Sequence, residues 1–158
     1  MGSEVRIKVV TAMPTLRLEP APVRTLLADD CAFVRLAVRT RLEEAGFEIC
    51  AEADDAESAV AAAMGEQPDL CLLDVVLTGG GLAAIRALRA AAPEAAIVVL
   101  TDATHEDLFL EAVRAGASGF LLKTMDSARI PHAVRDVVDG KTALPRSLVG
   151  LLLGELAA

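Results

Sequence analysis

The sequence predicts an α/β protein with three layers, in which a five-stranded parallel sheet lies between two layers of helices. Five short apolar runs alternate with segments in which apolar side chains recur every three to four residues, as they do in amphipathic helices. The chain has 158 residues, of which 54% are apolar, so it can bury one sizeable core. Because parallel strands need right-handed crossovers, the helices should cover both faces of the sheet.

The predicted strands are the apolar runs themselves, at residues 23–28, 47–53, 69–77, 95–101 and 119–123. In the flavodoxin-like strand order, 2-1-3-4-5, strands one and three are neighbours at the point where the winding reverses. Ligands of such sheets bind beyond the carboxyl ends of the strands. Residues at those ends are therefore the first candidates for function.

The helices are predicted from side-chain spacing and from the residues that end them. In the first helix, Val34, Val38 and Leu42 share one face. The fifth helix has a similar apolar face and carries Pro131 early, where a proline is tolerated. The first, fourth and fifth helices are predicted to end at three glycines, Gly46, Gly116 and Gly140.

Two helix starts are predicted from polar side chains placed over free backbone N–H groups. Asp54, followed by Glu57, is expected to begin the second helix, and Thr104, followed by Asp107, the fourth. The fourth helix should then run from about residue 104 to 115.

Charge and cysteine usage exclude several classes of function. The net charge is −8 and the arginines are scattered, so direct nucleic-acid binding by this chain is not expected. The three cysteines, Cys31, Cys50 and Cys71, form no C-x-x-C pair, which favours buried, reduced thiols and a cytoplasmic location. The apolar stretches are too short for a membrane span, and the N-terminus lacks a signal-peptide hydrophobic region.

The chain divides into three predicted segments. Residues 1–22 are an N-terminal extension of unknown function, with an alternating pattern typical of an edge strand followed by prolines. Residues 23–140 form the α/β domain. Residues 141–158 form a C-terminal helix that is nearly all apolar over 148–153, so that stretch needs a partner surface on this domain or on another copy.

Polar side chains follow the strands at one predicted edge of the sheet. Asp29 and Asp30 follow strand one, Asp74 lies in strand three, Thr101 ends strand four and Lys123 ends strand five. Each residue alone has an ordinary structural explanation, such as a helix cap or a solvated lysine. Their coincidence at four strand ends indicates a site.

The chemistry of this set is coherent. Three neighbouring carboxylates repel one another unless a cation lies among them, and oxygen ligands favour Mg²⁺. Phosphoryl transfer needs positioning and charge neutralisation, which Mg²⁺, the Lys123 ammonium and the Thr101 hydroxyl can supply around an attacking Asp74 carboxylate. Asp74 would then become an acyl phosphate.

The segments LLADD, CLLDVVL, VVLTDA and AGASGFLLK resemble the response-regulator receiver domain in order and spacing, over Val23 to about Gly140. The resemblance implies a CheY-like fold and a phosphoacceptor rather than a turnover enzyme. It implies that Asp74 takes phosphate from a sensor histidine kinase, with Mg²⁺ held by Asp29, Asp30 and Asp74. It further implies that the backbone carbonyl of Val76 is a fourth protein ligand of the metal. It also implies that Thr101 and Lys123 bind the phosphoryl group and that Phe120 is an aromatic switch.

The C-terminal part resembles the NarL/FixJ subgroup of LuxR-type transcription regulators. Leu144 to Leu156 would be the start of a linker to a helix-turn-helix domain. This resemblance implies a homodimer that contacts DNA only through an output domain not present in the sequence. The face of helix four, strand five and helix five, or that of helices one and five, is the expected dimer or output surface. Phe120 also fits a simple core aromatic on strand five.

Several positions depart from the usual receiver pattern. Thr78 stands where a proline commonly follows the phosphoacceptor, and Gly79 to Gly81 are expected to make that loop flexible. Asp102 stands where a small residue is usual, so its charge is expected to repel phosphate or to add a metal contact. Val76 and Ala103 are apolar at positions that would orient a hydrolytic water. The phosphorylated protein should therefore lose its phosphate slowly.

Three alternatives stay open from the sequence. Gly79, Gly81 and Ala84 match a G-x-G-x-x-A dinucleotide loop with Asp102 as a ribose-binding acid, but on the third strand instead of the first. A haloacid-dehalogenase-type hydrolase needs an acid where Val76 stands. The third alternative is a pseudo-receiver, the same fold used as an unphosphorylated protein-interaction module.

Overall fold

The computed structural model describes residues 20–102 and 107–158. The strands are β1 to β5, at Arg24–Ala28, Glu48–Ala53, Leu70–Asp74, Ala96–Thr101 and Gly119–Leu122. The helices are α1 to α6, at Ala32–Glu44, Ala56–Glu66, Gly81–Ala91, Phe109–Ala115, Ile130–Val138 and Arg146–Ala157. A short 3-10 turn, Ser127–Arg129, precedes α5.

The sheet has the predicted parallel order, β2-β1-β3-β4-β5. Ala28 pairs with Leu73, and Asp74 pairs with Leu100. The carboxyl ends of β1, β3 and β4 therefore lie side by side. The CheY-like α/β arrangement predicted from the alternating pattern is confirmed.

Each face of the sheet has its own hydrophobic core. Strand residues alternate between the two cores, as β3 illustrates: Cys71 and Leu73 face one core, and Leu70 and Leu72 face the other. The first core contains side chains of α2, α3 and α4, and the second those of α1 and α5. Because both faces are covered, the strands need continuous apolar runs, which is the pattern seen in the sequence.

The ends of β3 and β5 differ from the prediction. The predicted third strand continued to Leu77, but β3 ends at Asp74, because the carboxylate accepts a hydrogen bond from the N–H of Val76 at 3.0 Å and the chain turns there. The N–H of Leu77 then donates to the carbonyl of Asp74 at 3.3 Å and closes the turn. The predicted fifth strand included Lys123, which lies just beyond β5.

The predicted helix ends are confirmed at Gly46, Gly116 and Gly140, which adopt φ angles of 86°, 116° and 84°. These left-handed conformations favour glycine because it has no Cβ. Pro131 lies in the first turn of α5, where no intrahelical donor is lost.

The predicted start of the second helix is wrong by one residue. Asp55 caps α2, since its carboxylate accepts a hydrogen bond from the N–H of Ser58 at 2.7 Å. The hydrogen bonds from the hydroxyl and the N–H of Ser58 hold the pKa of Asp55 below its usual range. Asp54 is one residue too early to reach the same donor, and Thr104 lies outside the described residues.

The C-terminal segment returns along the sheet edge. The carbonyl of Ala143 accepts a hydrogen bond from the N–H of Phe120 in β5 at 2.8 Å. Leu148 of α6 is then only 1% exposed and joins the core on the side of α4. Its partner surface is therefore this domain, whereas the large apolar side chains on the outer side of α6 stay exposed: Val149, Leu151, Leu153 and Leu156.

Two composition-based predictions also meet the structure. Cys31, Cys50 and Cys71 are free thiols, but the prediction that they are buried is wrong for Cys31, which is exposed, while Cys50 is half-buried and Cys71 is buried. Burial raises the pKa of Cys71 to about 12, so this thiol stays protonated. Within residues 20–102 and 107–158, no helix combines the length and the apolar character needed to cross a bilayer.

Candidate functional site

The loop after β1 fixes Asp29. Its carboxylate accepts a hydrogen bond from the N–H of Cys31 at 2.8 Å, and its own N–H donates to the carbonyl of Ala53 at 3.1 Å. The Arg35 guanidinium of α1 donates to the backbone carbonyl of Asp29. Asp29 is only 3% exposed, so this charge is held in place under the loop while the neighbouring Asp30 faces solvent.

Asp74 is fixed at the end of β3. One carboxylate oxygen, Oδ1, accepts the hydrogen bond from Val76, and the N–H of Val75 donates to the carbonyl of Leu100 at 3.2 Å. Asp74 is 3% exposed. A carboxylate that is held on one oxygen leaves the other, Oδ2, directed to the rest of the site.

Lys123 brings a positive charge to these acids. Its N–H donates to the carbonyl of Thr101 at 2.7 Å, which places its side chain beside β3. Its ammonium donates to Asp74 Oδ2 at 2.7 Å and lies 3.0 Å from Asp29 Oδ2. Burial alone would lower the pKa of Lys123, but the hydrogen bonds and charges of Asp74 and Asp29 outweigh it and raise that pKa.

The three aspartates form an acidic cluster that fits a metal ion. One oxygen from each of Asp29, Asp30 and Asp74 can be chosen so that all lie within 4.8 Å of one another. Asp29 Oδ2 is buried and accepts no hydrogen bond from the described residues. Its contact with the Lys123 ammonium is an ion pair. Three carboxylates against one ammonium leave excess negative charge, and oxygen-only ligands suit a hard divalent cation such as Mg²⁺.

Thr78 makes a contact that the sequence did not predict. Its hydroxyl donates a hydrogen bond to Asp30 Oδ2 at 3.0 Å. Its carbonyl accepts one from the N–H of Ala56, at the start of α2, at 2.8 Å. The sequence draws attention to Thr78 only because a proline is common at this position, and nothing local in the sequence indicates a partner 48 residues away.

The three glycines of this loop have separate structural reasons. Gly79 and Gly80 adopt φ angles of 92° and 101°, which side chains disfavour. A Cβ at Gly81 would clash with the carbonyl oxygen of Val75. The glycines therefore specify one turn, which is a more particular role than the general flexibility expected from the sequence.

Thr101 and Phe120 lie beside the acidic cluster, toward α4. Thr101 is 6% exposed, and its hydroxyl donates to the carbonyl of Asp102 at 3.1 Å. Phe120 is 2% exposed and packs edge-on against Phe109, with ring centroids 4.7 Å apart. A small cavity is lined by both Thr101 and Phe120 together with Leu148 of α6. Phe120 is thus a core aromatic, which is one of the two interpretations that the sequence offered for it.

Two of the three remaining candidates, Val76 and Asp102, lie close to the ends of β3 and β4. Val76, two residues beyond Asp74, is 45% exposed. Asp102 is half-buried after β4, and its backbone carbonyl is engaged by Thr101. Ala103 lies outside the described residues. The structure thus brings Asp29, Asp30, Asp74 and Lys123 into one contact set, with Thr101 on the adjoining strand end.

The sequence of this chain matches a known protein family. The family model described as the response regulator receiver domain matches residues 25–135, a range that includes every predicted site residue. The chemotaxis protein CheY of Thermotoga maritima is 30% identical over 115 residues, which cover 72% of this chain and 96% of that protein. Receiver domains are phosphoacceptors and not turnover enzymes.

Regulators of the NarL type are also similar. The transcriptional regulatory protein LiaR of Bacillus subtilis is 32% identical over 85% of this chain, and the nitrate/nitrite response regulator protein NarL of Escherichia coli K12 is 32% identical over 89%. The chain spans less than two thirds of those proteins, 64% and 65% respectively. A LuxR-family response regulator from Aurantimonas sp. SI85-9A1 superposes with a TM-score of 0.77 at 30% identity, covering 87% of this chain and 99% of that one.

Proposed function

The chain belongs to the response-regulator receiver family, and we propose that it accepts a phosphoryl group from a sensor histidine kinase on Asp74, with Mg²⁺ as cofactor. The observation that carries this proposal is the position of Asp74. It ends β3, is 3% exposed, contacts the Lys123 ammonium and shares the acidic cluster with Asp29 and Asp30.

In the proposed reaction, a carboxylate oxygen of Asp74 attacks the phosphorus of a phosphohistidine. The P–O bond to Asp74 forms while the P–N bond breaks, and the histidine nitrogen keeps the electron pair and takes a proton. Mg²⁺ held by Asp29, Asp30, Asp74 and the Val76 carbonyl would offset the charge on the phosphoryl oxygens. The role of Asp74 is supported by its fixed Oδ1, which leaves one oxygen oriented for attack.

Lys123 and Thr101 are the proposed phosphoryl-binding residues. The Lys123 ammonium already contacts Asp74 Oδ2, so a short movement brings it to a phosphoryl oxygen. The Thr101 hydroxyl can exchange the Asp102 carbonyl for another phosphoryl oxygen. Because Thr101 and Phe120 line the same small cavity, movement of Thr101 gives Phe120 room to repack, which is the proposed switch.

The proposed aspartyl phosphate is long-lived. Val76, two residues beyond Asp74, has an exposed apolar side chain, whereas a polar side chain at this position would orient a water for attack. We expect Val76→Glu to shorten the lifetime of the phosphorylated protein, measured by the decay of the phosphorylated band on a Phos-tag gel. A half-life of seconds in the unaltered protein would contradict this part of the proposal.

The phosphoacceptor is tested by incubating the full chain with acetyl phosphate and Mg²⁺ and measuring its intact mass. One phosphoryl group should be added to the unaltered protein and to the control Asp139→Ala, which removes an exposed aspartate beyond α5, and none to Asp74→Ala. Labelling of Asp74→Ala would overturn the assignment. No labelling of the unaltered protein by any small phosphodonor or kinase would favour the pseudo-receiver.

We further propose that the chain forms a homodimer in the cytoplasm. We also propose that it takes part in transcriptional regulation, which is what the name of LiaR says of that protein. Large exposed apolar side chains on α1, Phe33 at 85% and Leu36 at 61%, and on the outer side of α6 support an association surface. Residues 23–140 are the proposed receiver, which the family match over residues 25–135 supports, and residues 141–158, which contain α6, are the proposed start of a linker. Direct DNA contact by this chain is not proposed, since its net charge is −8. Light scattering with and without acetyl phosphate tests the dimer.

A further inference from the structure

We propose that Thr78 is a positioning residue of the metal site, whose hydroxyl holds Asp30 ready for Mg²⁺. This inference rests on the proposed function, because it assumes that the acidic cluster binds the cation. It concerns the one position in the loop after β3 where this sequence has a hydroxyl and receivers commonly have a proline.

The three acids of the cluster are held very differently. Asp29 and Asp74 are each 3% exposed and each accept a hydrogen bond from a backbone N–H two residues later. Asp30 is exposed. Among residues 20–102 and 107–158, the directed hydrogen bond to the Asp30 carboxylate comes from Thr78 alone. Without that bond, Asp30 would be the acid with the most rotational freedom to lose on binding an ion.

Thr78 is itself held firmly enough to position another side chain. Its carbonyl accepts the hydrogen bond from Ala56, and the next turn is closed by the N–H of Gly80 donating to the carbonyl of Leu77 at 2.9 Å. Gly79 and Gly80 have left-handed backbone conformations that fix the direction of the chain as it leaves Thr78. The hydroxyl therefore approaches Asp30 from an anchored loop, and not from a free side chain.

The hydrogen bond is compatible with metal binding. Thr78 donates to Oδ2 of Asp30, which leaves Oδ1 of the same carboxylate available to a cation. A second contact of this kind orients a ligand carboxylate in many metal sites. A proline at position 78 would leave Asp30 with no such donor, so the departure from the common receiver pattern adds a contact to the site.

The test compares cation binding by the full chain and its variants, using Mn²⁺ and the loss of its free-ion signal in electron paramagnetic resonance. Mg²⁺ competition then gives the Mg²⁺ affinity. Thr78→Val, which keeps the shape and removes the hydroxyl, should weaken Mg²⁺ binding about three- to tenfold, the range for one hydrogen bond. Thr78→Ser should bind within about twofold of the unaltered protein. An unchanged or tighter affinity in Thr78→Val overturns the proposal.

Two controls separate positioning from a general structural effect. Thr40→Val removes a hydroxyl that bonds to the Leu36 carbonyl on α1, far along the helix from the acids, and should leave the affinity unchanged. In an Asp30→Ala background, Thr78→Val should have no further effect on the affinity, because the partner is gone. Equal losses from Thr78→Val with and without Asp30 would show that the residue acts by another route.

Failure of this inference is distinguishable from failure of the proposed function. If the unaltered protein binds Mn²⁺ and is labelled on Asp74 by acetyl phosphate, yet Thr78→Val has the same cation affinity, only the inference fails. If the unaltered protein binds neither Mn²⁺ nor Mg²⁺, the metal site and the inference both fail. If Thr78→Val is labelled fully but needs more Mg²⁺, both stand.

Discussion

At the acidic end of the sheet the chain is held by charged and polar contacts, and along α6 it is held by apolar ones. The loop after β3 depends on the Lys123 ammonium, the Thr78 hydroxyl and backbone N–H groups. The helix α6 depends on Leu148, which is 1% exposed in the core beside α4. Its ion pair with α4, between Arg114 and Glu155, lies at the surface.

The difference separates a part that can change partners from a part that resists change. Hydrogen bonds to carboxylates can be exchanged for bonds to an ion or a phosphoryl group at modest net cost. Burial of a leucine offers no such exchange, since the alternative is exposure to water. The two regions meet at the small cavity that Thr101, Phe120 and Leu148 line together.

The largest predicted effect lies on the apolar side. Leu148→Ala should lower the free energy of unfolding by about 3 kcal/mol, since it leaves a cavity in the core. Leu153→Ala, on the same helix but 61% exposed, should change it by less than about 0.5 kcal/mol. Urea denaturation measures both. Similar losses for the two variants would show that α6 is not docked through Leu148.

A backbone contact at the polar end should come next. Gly81→Ala places a Cβ against the carbonyl of Val75 and should cost about 2 kcal/mol by overpacking. Gly150→Ala in α6, where a Cβ has nothing within 4 Å, should instead stabilise the protein by about 0.5 to 1 kcal/mol, because alanine favours helix. Thermal unfolding of the pair checks this. If Gly81→Ala is as stable as the unaltered protein, the loop can move away from β3.

Removing the ammonium at the acidic end gives a smaller, pH-dependent effect. Lys123→Met should cost the metal-free protein about 1.5 kcal/mol, the low end for a charged hydrogen bond, because Lys123 is partly solvated. The pKa of Lys123 is raised in the folded protein. Its contribution should therefore be complete below about pH 10.4, the value for an unfolded lysine, and be lost as the pH rises through the higher folded value.

This pH profile is measured as the difference in unfolding free energy between the unaltered protein and Lys123→Met, from pH 7 upward. The difference should narrow only in the most alkaline samples. A difference that narrows already near neutral pH would contradict a raised pKa for Lys123. Lys141→Met, at an exposed lysine paired with Asp136, is the matched control.

The smallest predicted effect is that of the surface ion pair on α6. Arg114→Ala should change the free energy of unfolding by at most about 0.5 kcal/mol, because both side chains are largely solvated. Salt should reduce even this difference. Repeating the urea denaturation at low and high salt measures it. A loss approaching that of Leu148→Ala would mean that charge, and not apolar burial, docks α6.

Much of the fold followed from local patterns in the sequence. Apolar runs such as Leu70 to Leu73 predicted the strands because both faces of a covered parallel sheet are buried. Gly46, Gly116 and Gly140 predicted helix ends because a left-handed residue is a local requirement. The sequence-based prediction erred where two neighbouring residues could serve the same purpose, as with Asp54 in place of Asp55.

The sequence alone determined which acids and which lysine stand at the strand ends, since order along the chain and strand polarity decide that together. Only the tertiary structure decided which of these side chains touch. The contact of Thr78 with Asp30 spans 48 residues, and that of Lys123 with Asp74 spans 49. The burial of Leu148 likewise depends on how α6 returns to α4. Periodicity encodes which face of an element is apolar, but the meeting of distant loops depends on backbone turns and packing through space, which no local pattern specifies.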